Sequence, residues 1–206
     1  MLHDPTHLFE GEITPSQWKA ARIISFITQP QLFSVVLFAI VCLACNDWQQ
    51  YAVVYGICLF FGCIFPIIEV MYYSKKFNND DGDVIRKEDR IVPLILGVIS
   101  YILGCISLWL VSAPNLVLVL FICYATVTFA ILLITPRWKI SVHACGMIGP
   151  GMAITYLFFP WGLLIYISVP FICWARWVLR KHTPAQMAGG IILGFTITAV
   201  MFYLML

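Results

Sequence analysis

The sequence predicts an all-α polytopic membrane protein, and three observations support that prediction. The chain has 206 residues, of which 62% are hydrophobic and only 11% are charged, about half the charged share of a typical soluble domain. Its mean hydropathy is +0.93. The apolar stretches are continuous rather than alternating, and most approach the roughly 20 residues that a helix needs to cross the hydrocarbon layer. Because lipid offers backbone groups no partner, such stretches must form helices.

Seven apolar runs predict a bundle of about six to seven transmembrane helices within one integral membrane domain, residues 1–206. The first 21 residues form a polar N-terminal segment, and its early acidic residues argue against a cleavable signal peptide. The expected spans are residues 22–45, 51–73, 91–111, 115–135, 143–159, 161–179 and 185–206.

The connections between these spans divide unequally in charge. The connections on one side are short, at residues 46–50, 112–114 and Pro160, and they contain no lysine or arginine. All 12 lysines and arginines fall on the opposite side. The positive-inside rule then places the charged side in the cytoplasm, at the inner membrane.

Three polar islands lie on that charged side, at residues 86–93, 139–143 and 176–186. Each contains arginine or histidine, which sequence embedded in lipid normally excludes. An even number of predicted spans separates each island from the next, so all three should emerge at one end of the bundle. Three cationic loops meeting there predict a site for an anion at the membrane surface.

The third island contains a helix start signal. Thr183 is a good N-cap, Pro184 suits the first helical position, and Gln186 stands where the capping-box partner belongs. His182 then lies just outside a helix N-terminus, an end that favours oxyanions. A histidine there is placed to attack or bind phosphate; the alternative is an interfacial histidine that simply flanks a span.

The second island repeats this arrangement. Ser141 can cap the fifth span, which puts His143 in its first turn. The alternatives are a serine that only caps and another interfacial histidine. Two histidines at two helix starts on one face nevertheless match phosphoryl chemistry, in which one group attacks phosphorus and the other protonates the leaving oxygen.

The first island carries two arginines. Arg86 and Arg90 are four residues apart and share a face if the segment is helical, and guanidinium groups bind phosphate oxygens as a fork. The alternative is a solvated charged loop. Glu69, inside the second span, is expected either to pair with Arg86 or Arg90 or to take part in catalysis, because a carboxylate in a span is costly.

Together the islands resemble the three-part signature of the type 2 phosphatidic acid phosphatase (lipid phosphate phosphatase) superfamily. That signature is a lysine followed seven residues later by Arg-Pro, then Pro-Ser-Gly-His, then Ser-Arg-x5-His-x3-Asp. Arg90 matches the first-motif arginine, and Ser141 and His143 match the second motif. Arg176 and His182 match the third, with its five-residue gap intact. The resemblance covers about half the chain.

The chain also departs from that pattern. Arg86 stands in for the lysine at a shorter spacing, and Pro93 is not adjacent to the arginine. Three apolar residues replace the family's proline, glycine and serine: Ile140, Val142 and Ala175. Gln186 replaces the aspartate that orients the nucleophilic histidine. A carboxamide oxygen still accepts an N–H but cannot stabilise an imidazolium by charge, so lower activity is expected.

The resemblance implies a metal-independent lipid phosphatase that works through a phosphohistidine. His182 would attack phosphorus, His143 would protonate the leaving alkoxide, and Gln186 would orient His182. The phosphate oxygens would be held by the other polar island residues: Arg86, Arg90, Ser141 and Arg176, with Lys139 as a further candidate. The substrate would be a prenyl phosphate, a prenyl diphosphate or a phosphatidate-like lipid. Membrane lipids are the expected partners, with no cofactor, metal or nucleic acid.

Two other functions stay open on the sequence. A weak or inactive member would bind or translocate anionic lipid without hydrolysing it, and Gln186 favours that possibility. A structural or assembly protein of the membrane would use the arginines neither to hydrolyse a lipid phosphate nor to bind or translocate an anionic lipid.

Overall fold

The computed structural model describes residues 13–45, 48–77 and 86–206. Across these ranges the chain is helical apart from short connections and contains no strand, so the all-α prediction is confirmed. Residues 1–12 of the predicted polar segment, and most of the loop before the first island, lie outside the described residues.

The described ranges contain ten α-helices joined by short turns. They are α1 (Pro15–Ile27), α2 (Pro30–Cys45), α3 (Trp48–Leu59), α4 (Phe65–Lys76), α5 (Ile91–Leu110), α6 (Asn115–Ile134), α7 (Val142–Gly146), α8 (Ile148–Phe158), α9 (Ser168–Val178) and α10 (Pro184–Met205). A π-helical turn, Phe60–Ile64, joins α3 to α4, and 3-10 turns at Glu88–Arg90 and Trp161–Ile167 lead into α5 and α9.

Five helical segments of the described chain are long and apolar enough to cross a membrane. They are Gln50–Lys76, Glu88–Leu110, Asn115–Ile134, Trp161–Val178 and Pro184–Met205. The bent pair α1 and α2 makes a sixth if it counts as one span, and the apolar segment Val142–Phe158 is shorter. The chain is therefore a polytopic helical membrane protein, with five or six spans by this measure where the sequence predicts six to seven.

The first predicted span, residues 22–45, is wrong as a single helix. Two helices replace it, Pro15–Ile27 and Pro30–Ala44, which meet at 46°. The break falls at Pro30, whose ring fixes φ and removes an amide donor, so a helix restarts there. The end of the polar segment is also helical, because Thr14 and Gln17 form a capping box that starts α1.

An aromatic cluster fills the interior between α2, α5 and α6. Phe38 and Phe121 are fully buried with ring centroids 5.1 Å apart, and Tyr101 packs edge-on to Tyr124 at 5.5 Å. The Tyr124 hydroxyl lies 2.8 Å from the hydroxyl of Ser34, which satisfies both polar groups in an apolar interior. This core fixes α5, whose N-terminal end carries Arg90 into the charged end of the bundle.

Candidate active site at the charged end of the bundle

A cavity of about 420 Å³ opens where residues of the three islands meet. Its acidic, basic and histidine lining residues come from both halves of the chain: Arg22, Glu69, Arg90, His143, Arg176, Lys181 and His182. Of the eight site residues predicted from the sequence, Arg90, His143, Arg176 and His182 line the cavity. The structure thus brings two histidines and two arginines of separate islands around one space.

His182 is held by the start of α10. The predicted capping box at Thr183 and Gln186 is confirmed: the Gln186 N–H donates to Thr183 Oγ1 at 3.1 Å, and the Thr183 N–H donates to Gln186 Oε1 at 3.2 Å. The same Oε1 lies 3.2 Å from His182 Nδ1. Because it accepts from an amide N–H, this atom is the carbonyl oxygen of the side chain, so His182 must donate from Nδ1. In the neutral imidazole, Nε2 is then the nitrogen with the lone pair.

His143 occupies the matching position on α7. The predicted cap is confirmed, since Ser141 Oγ accepts the Ala144 N–H at 3.4 Å. His143 therefore falls in the first turn of α7, half-buried and lining the cavity. The backbone amide N–H of Ser141 donates to the Gln186 carbonyl at 3.1 Å, which ties the two histidine-bearing segments together.

Two glycines of α10 let it approach α7 this closely. A Cβ atom at Gly190 would lie 2.5 Å from the carbonyl oxygen of Ser141, and one at Gly194 would lie 2.9 Å from that of Cys145. Small residues allow helix backbones in membranes to touch in this way. The Gly-x-x-x-Gly spacing is visible in the sequence, but its partner helix is not.

The two arginines that line the cavity are buried and fixed. Arg176 is only 2% exposed, and its Nη1 donates to Ser25 Oγ of α1 at 2.9 Å. Arg90 is 7% exposed, and its Nη1 donates to the carbonyl of Ile140 at 3.4 Å. These contacts fix the direction of the two guanidinium groups beside the cavity.

Arg86 does not reach the cavity. Its side chain is 75% exposed and its Nε lies 4.0 Å from Glu88 Oε2, outside the cavity lining. Arg86 and Arg90 are expected to share a face only if their segment is helical, and this condition is not met because the helical turn begins at Glu88. Arg86 precedes that turn and is exposed, whereas Arg90 is buried.

Three other predicted site residues lie outside the cavity lining. Lys139 is half-buried and does not line the cavity. Ser141 and Gln186 are buried behind the histidines. The hydroxyl of Ser141 already caps α7 and its N–H already binds Gln186, so neither group is directed to a ligand. Gln186 acts on the site only through His182.

Two charged cavity residues, Lys181 and Arg22, were not predicted from the sequence. Lys181 stands next to His182 in the third island, so its position in the sequence could have identified it as a site residue. Arg22 reaches the cavity because α1 is a separate helix that contacts α9, which a single long span would not allow. Glu69 forms no ion pair within 4.0 Å among the described residues, so the expected pairing with Arg86 or Arg90 is not observed.

No family model, curated protein or solved structure matches this chain. The fold and the cavity define a polytopic helical membrane protein with a cationic, histidine-containing cavity at one end of its bundle. The resemblance to lipid phosphate phosphatases stays a prediction, and it rests on the motif residues themselves.

Proposed function

We propose that this protein is an integral membrane phosphatase that hydrolyses a lipid phosphate monoester or diphosphate through a phosphohistidine. One observation carries the proposal: His143, His182, Arg90 and Arg176 line the same cavity, although the chain separates them widely. The bond between Gln186 and His182 supports it, because it holds the imidazole in the tautomer that a nucleophile needs.

In the first step, the Nε2 lone pair of His182 attacks phosphorus as the bond from phosphorus to the lipid oxygen breaks. His143, entering as the imidazolium, gives its proton to that departing oxygen. In the second step, neutral His143 takes a proton from water, whose oxygen attacks the phosphohistidine. The phosphorus–nitrogen bond then breaks, which releases inorganic phosphate and restores His182.

Three cations that line the cavity would stabilise the transition state. Charge on the equatorial oxygens grows as the phosphoryl group transfers, and preorganised donors stabilise it most where water is excluded. Arg90 and Arg176 are buried and held in direction by their contacts, and Lys181 is 8% exposed beside His182. Arg86 and Lys139 take no part in this proposal.

The lipid would approach from the bilayer, with its phosphate at the charged end of the bundle. Prenyl phosphates, prenyl diphosphates and phosphatidate-like lipids all present a phosphoryl group at that level. The lysine and arginine asymmetry favours the cytoplasmic face of an inner membrane for the site.

Phosphate release from a panel of these lipids tests the proposal. We expect the purified protein in mixed micelles to release phosphate in the presence of a metal chelator, and His182→Ala to abolish release. Arg137→Ala is the matched control, because Arg137 is exposed on the same side and does not line the cavity. Equal turnover by wild type and His182→Ala would overturn the mechanism.

A second candidate is an anionic-lipid carrier without hydrolysis, which the carboxamide at Gln186 favours. A carrier moves lipid between leaflets without a nucleophile. Vesicles containing His182→Ala should then still translocate a fluorescent lipid phosphate, whereas the phosphatase proposal expects no His182-independent function.

A further inference from the structure

The carboxyl group of Glu69 has no partner in the part of the chain that the structure describes. Glu69 lies on α4, is 7% exposed and lines the cavity. Its Oε2 makes no hydrogen bond to any described residue, and no described cation lies within 4.0 Å of it. A buried carboxyl group without a partner is costly, above all within a span. A ligand of the cavity would supply the missing partner.

Glu69 also lies further from the end of its helix than the arginines do, because Arg90 directly precedes α5 and Arg176 lies two residues from the end of α9. It precedes Lys75, in the last turn of α4, by six residues, so at roughly 1.5 Å per residue it is about 9 Å further from the charged end. The cavity also extends along α5, from Arg90 past Gly97 to Tyr101, which at roughly 1.5 Å per residue is about 16 Å. It therefore has a cationic level near the surface and a deeper level that contains one carboxyl group.

The depth of Glu69 selects the part of a lipid that meets it. With the phosphoryl group among Arg90, Arg176 and His182, the next atoms towards the bilayer are the ester oxygen and the first carbons of the lipid backbone. A group there that satisfies a carboxylate must donate a hydrogen bond, as an ammonium or a hydroxyl does. A prenyl chain and a diacylated glycerol have no such donor.

We propose that Glu69 determines specificity by binding a hydrogen-bond donor, an ammonium or a hydroxyl, on the lipid backbone within about three atoms of the phosphate ester. The preferred substrates are then lipid phosphates that carry such a donor, rather than prenyl phosphates or phosphatidate. This inference rests on the proposed phosphatase function and narrows its substrate class.

The test compares substrates that differ by the donor alone. One pair is a lysophosphatidate and its analogue without the glycerol hydroxyl; the other is a long-chain 2-amino-alcohol 1-phosphate and the plain alkyl phosphate of equal length. For each pair, the ratio of kcat/KM values is measured for wild type, Glu69→Gln and Glu69→Leu. A ratio is insensitive to a general loss of activity or of folded protein.

We expect wild type to prefer the donor-bearing lipid in at least one pair by about tenfold or more, as a site with a buried polar group does. Glu69→Leu should bring every ratio close to one. Glu69→Gln distinguishes the donors, because a carboxamide still accepts from a hydroxyl but cannot neutralise an ammonium. Glu88→Gln, at an exposed carboxylate outside the cavity, should keep the wild-type ratios.

Equal ratios in wild type and Glu69→Leu would overturn the inference. Failure of the phosphatase proposal gives a different result: no lipid yields His182-dependent phosphate. In that case, binding is measured instead of turnover. The rise in unfolding temperature caused by each of the same four lipids is compared between His182→Ala and the double variant His182→Ala with Glu69→Leu. A difference between donor-bearing and donor-free lipids that vanishes in Glu69→Leu supports the inference, and no difference overturns it.

Discussion

The side-chain oxygen of Gln186 lies 3.2 Å from Nδ1 of His182 and accepts the amide hydrogen of Thr183 at the same distance. One atom therefore both caps the start of α10 and fixes a histidine that lines the cavity. In a helix start that only needed a cap, the second contact would have no purpose. The carboxamide orients His182 without adding the negative charge that a carboxylate would bring.

Substitutions at Gln186 should separate the effect of orienting His182 from the effect of a negative charge beside it. Gln186→Glu keeps the reach and both contacts and adds a charge that stabilises the imidazolium, so we expect phosphate release to rise several-fold. Gln186→Leu should lower kcat by at least about a hundredfold, because the tautomer is no longer fixed. Both values come from steady-state phosphate release at saturating lipid.

The control for Gln186→Leu is Gln17→Leu. Gln17 forms the same capping box with Thr14 at the start of α1, where its Oε1 accepts the Thr14 N–H at 3.0 Å. That variant loses an equivalent cap, worth about 1 kcal/mol, but touches no histidine. A similar loss of kcat in both variants would assign the effect to capping alone.

His143 should matter most for poor leaving groups. We expect His143→Ala to lower hydrolysis of an alkyl lipid phosphate by about a hundredfold or more, since the alkoxide then leaves without a proton. An aryl phosphate lipid, whose phenolate leaves unaided, should still phosphorylate His182 in this variant. Rapid-quench measurement of phenol release and of acid-labile, base-stable phosphoprotein checks both steps. Equal losses with the two leaving groups would remove His143 from the role of acid.

The contact between Ser25 and Arg176 should tune phosphate binding. Ser25→Ala removes a hydrogen-bond acceptor of Arg176 Nη1 but keeps the charge, so we expect a rise of about threefold to tenfold in KM or a similar fall in kcat, the size expected for one hydrogen bond. Arg176→Ala should cost far more, about a hundredfold or greater in kcat/KM. Inhibition by orthovanadate, which occupies a phosphoryl site, should weaken in the same order. Unchanged inhibition in Arg176→Ala would contradict the placement of phosphate.

The packing of α10 on α7 should tolerate no side chain at Gly190. Gly190→Ala places a methyl group against the Ser141 carbonyl, and overpacking of this kind costs about 1–3 kcal/mol. We expect a lower temperature of unfolding in detergent together with reduced phosphate release, because the segments that carry His143 and His182 meet at this contact between α7 and α10. Gly56→Ala is the control, since a Cβ there meets nothing within 4 Å. Equal unfolding temperatures for Gly190→Ala and Gly56→Ala would show that α7 and α10 are not tightly packed at Gly190.

Features encoded within a few residues were predictable from the sequence. The caps at Ser141 and Thr183 follow from local hydrogen bonding between a side chain and the next turn, so no other part of the fold is needed to foresee them. The meeting of Arg90, His143 and Arg176 at one end of the bundle follows from counting spans. The first inference uses only residues that are close together in the chain. The second uses only whether the number of membrane spans between two islands is even or odd.

Features that depend on docking were not predictable. The turn at Glu88 starts late enough to leave Arg86 in solvent, and no propensity distinguishes it from a turn that starts at Arg86. The helix break before Pro30 is visible, but the return of Arg22 to the cavity depends on the contact between α1 and α9. Among the described residues, Glu69 Oε2 has no hydrogen-bond partner. This depends on how all of its neighbours pack in the folded protein, which a single sequence does not give.

The hydrogen bond from Arg176 to Ser25 joins residues 151 positions apart, and this separation imposes an order on biogenesis. A ribosome makes α1 long before α9, so this hydrogen bond can form only after the middle of the chain has been synthesised. The wall of the cavity to which α1 and α9 both contribute is therefore completed late in synthesis.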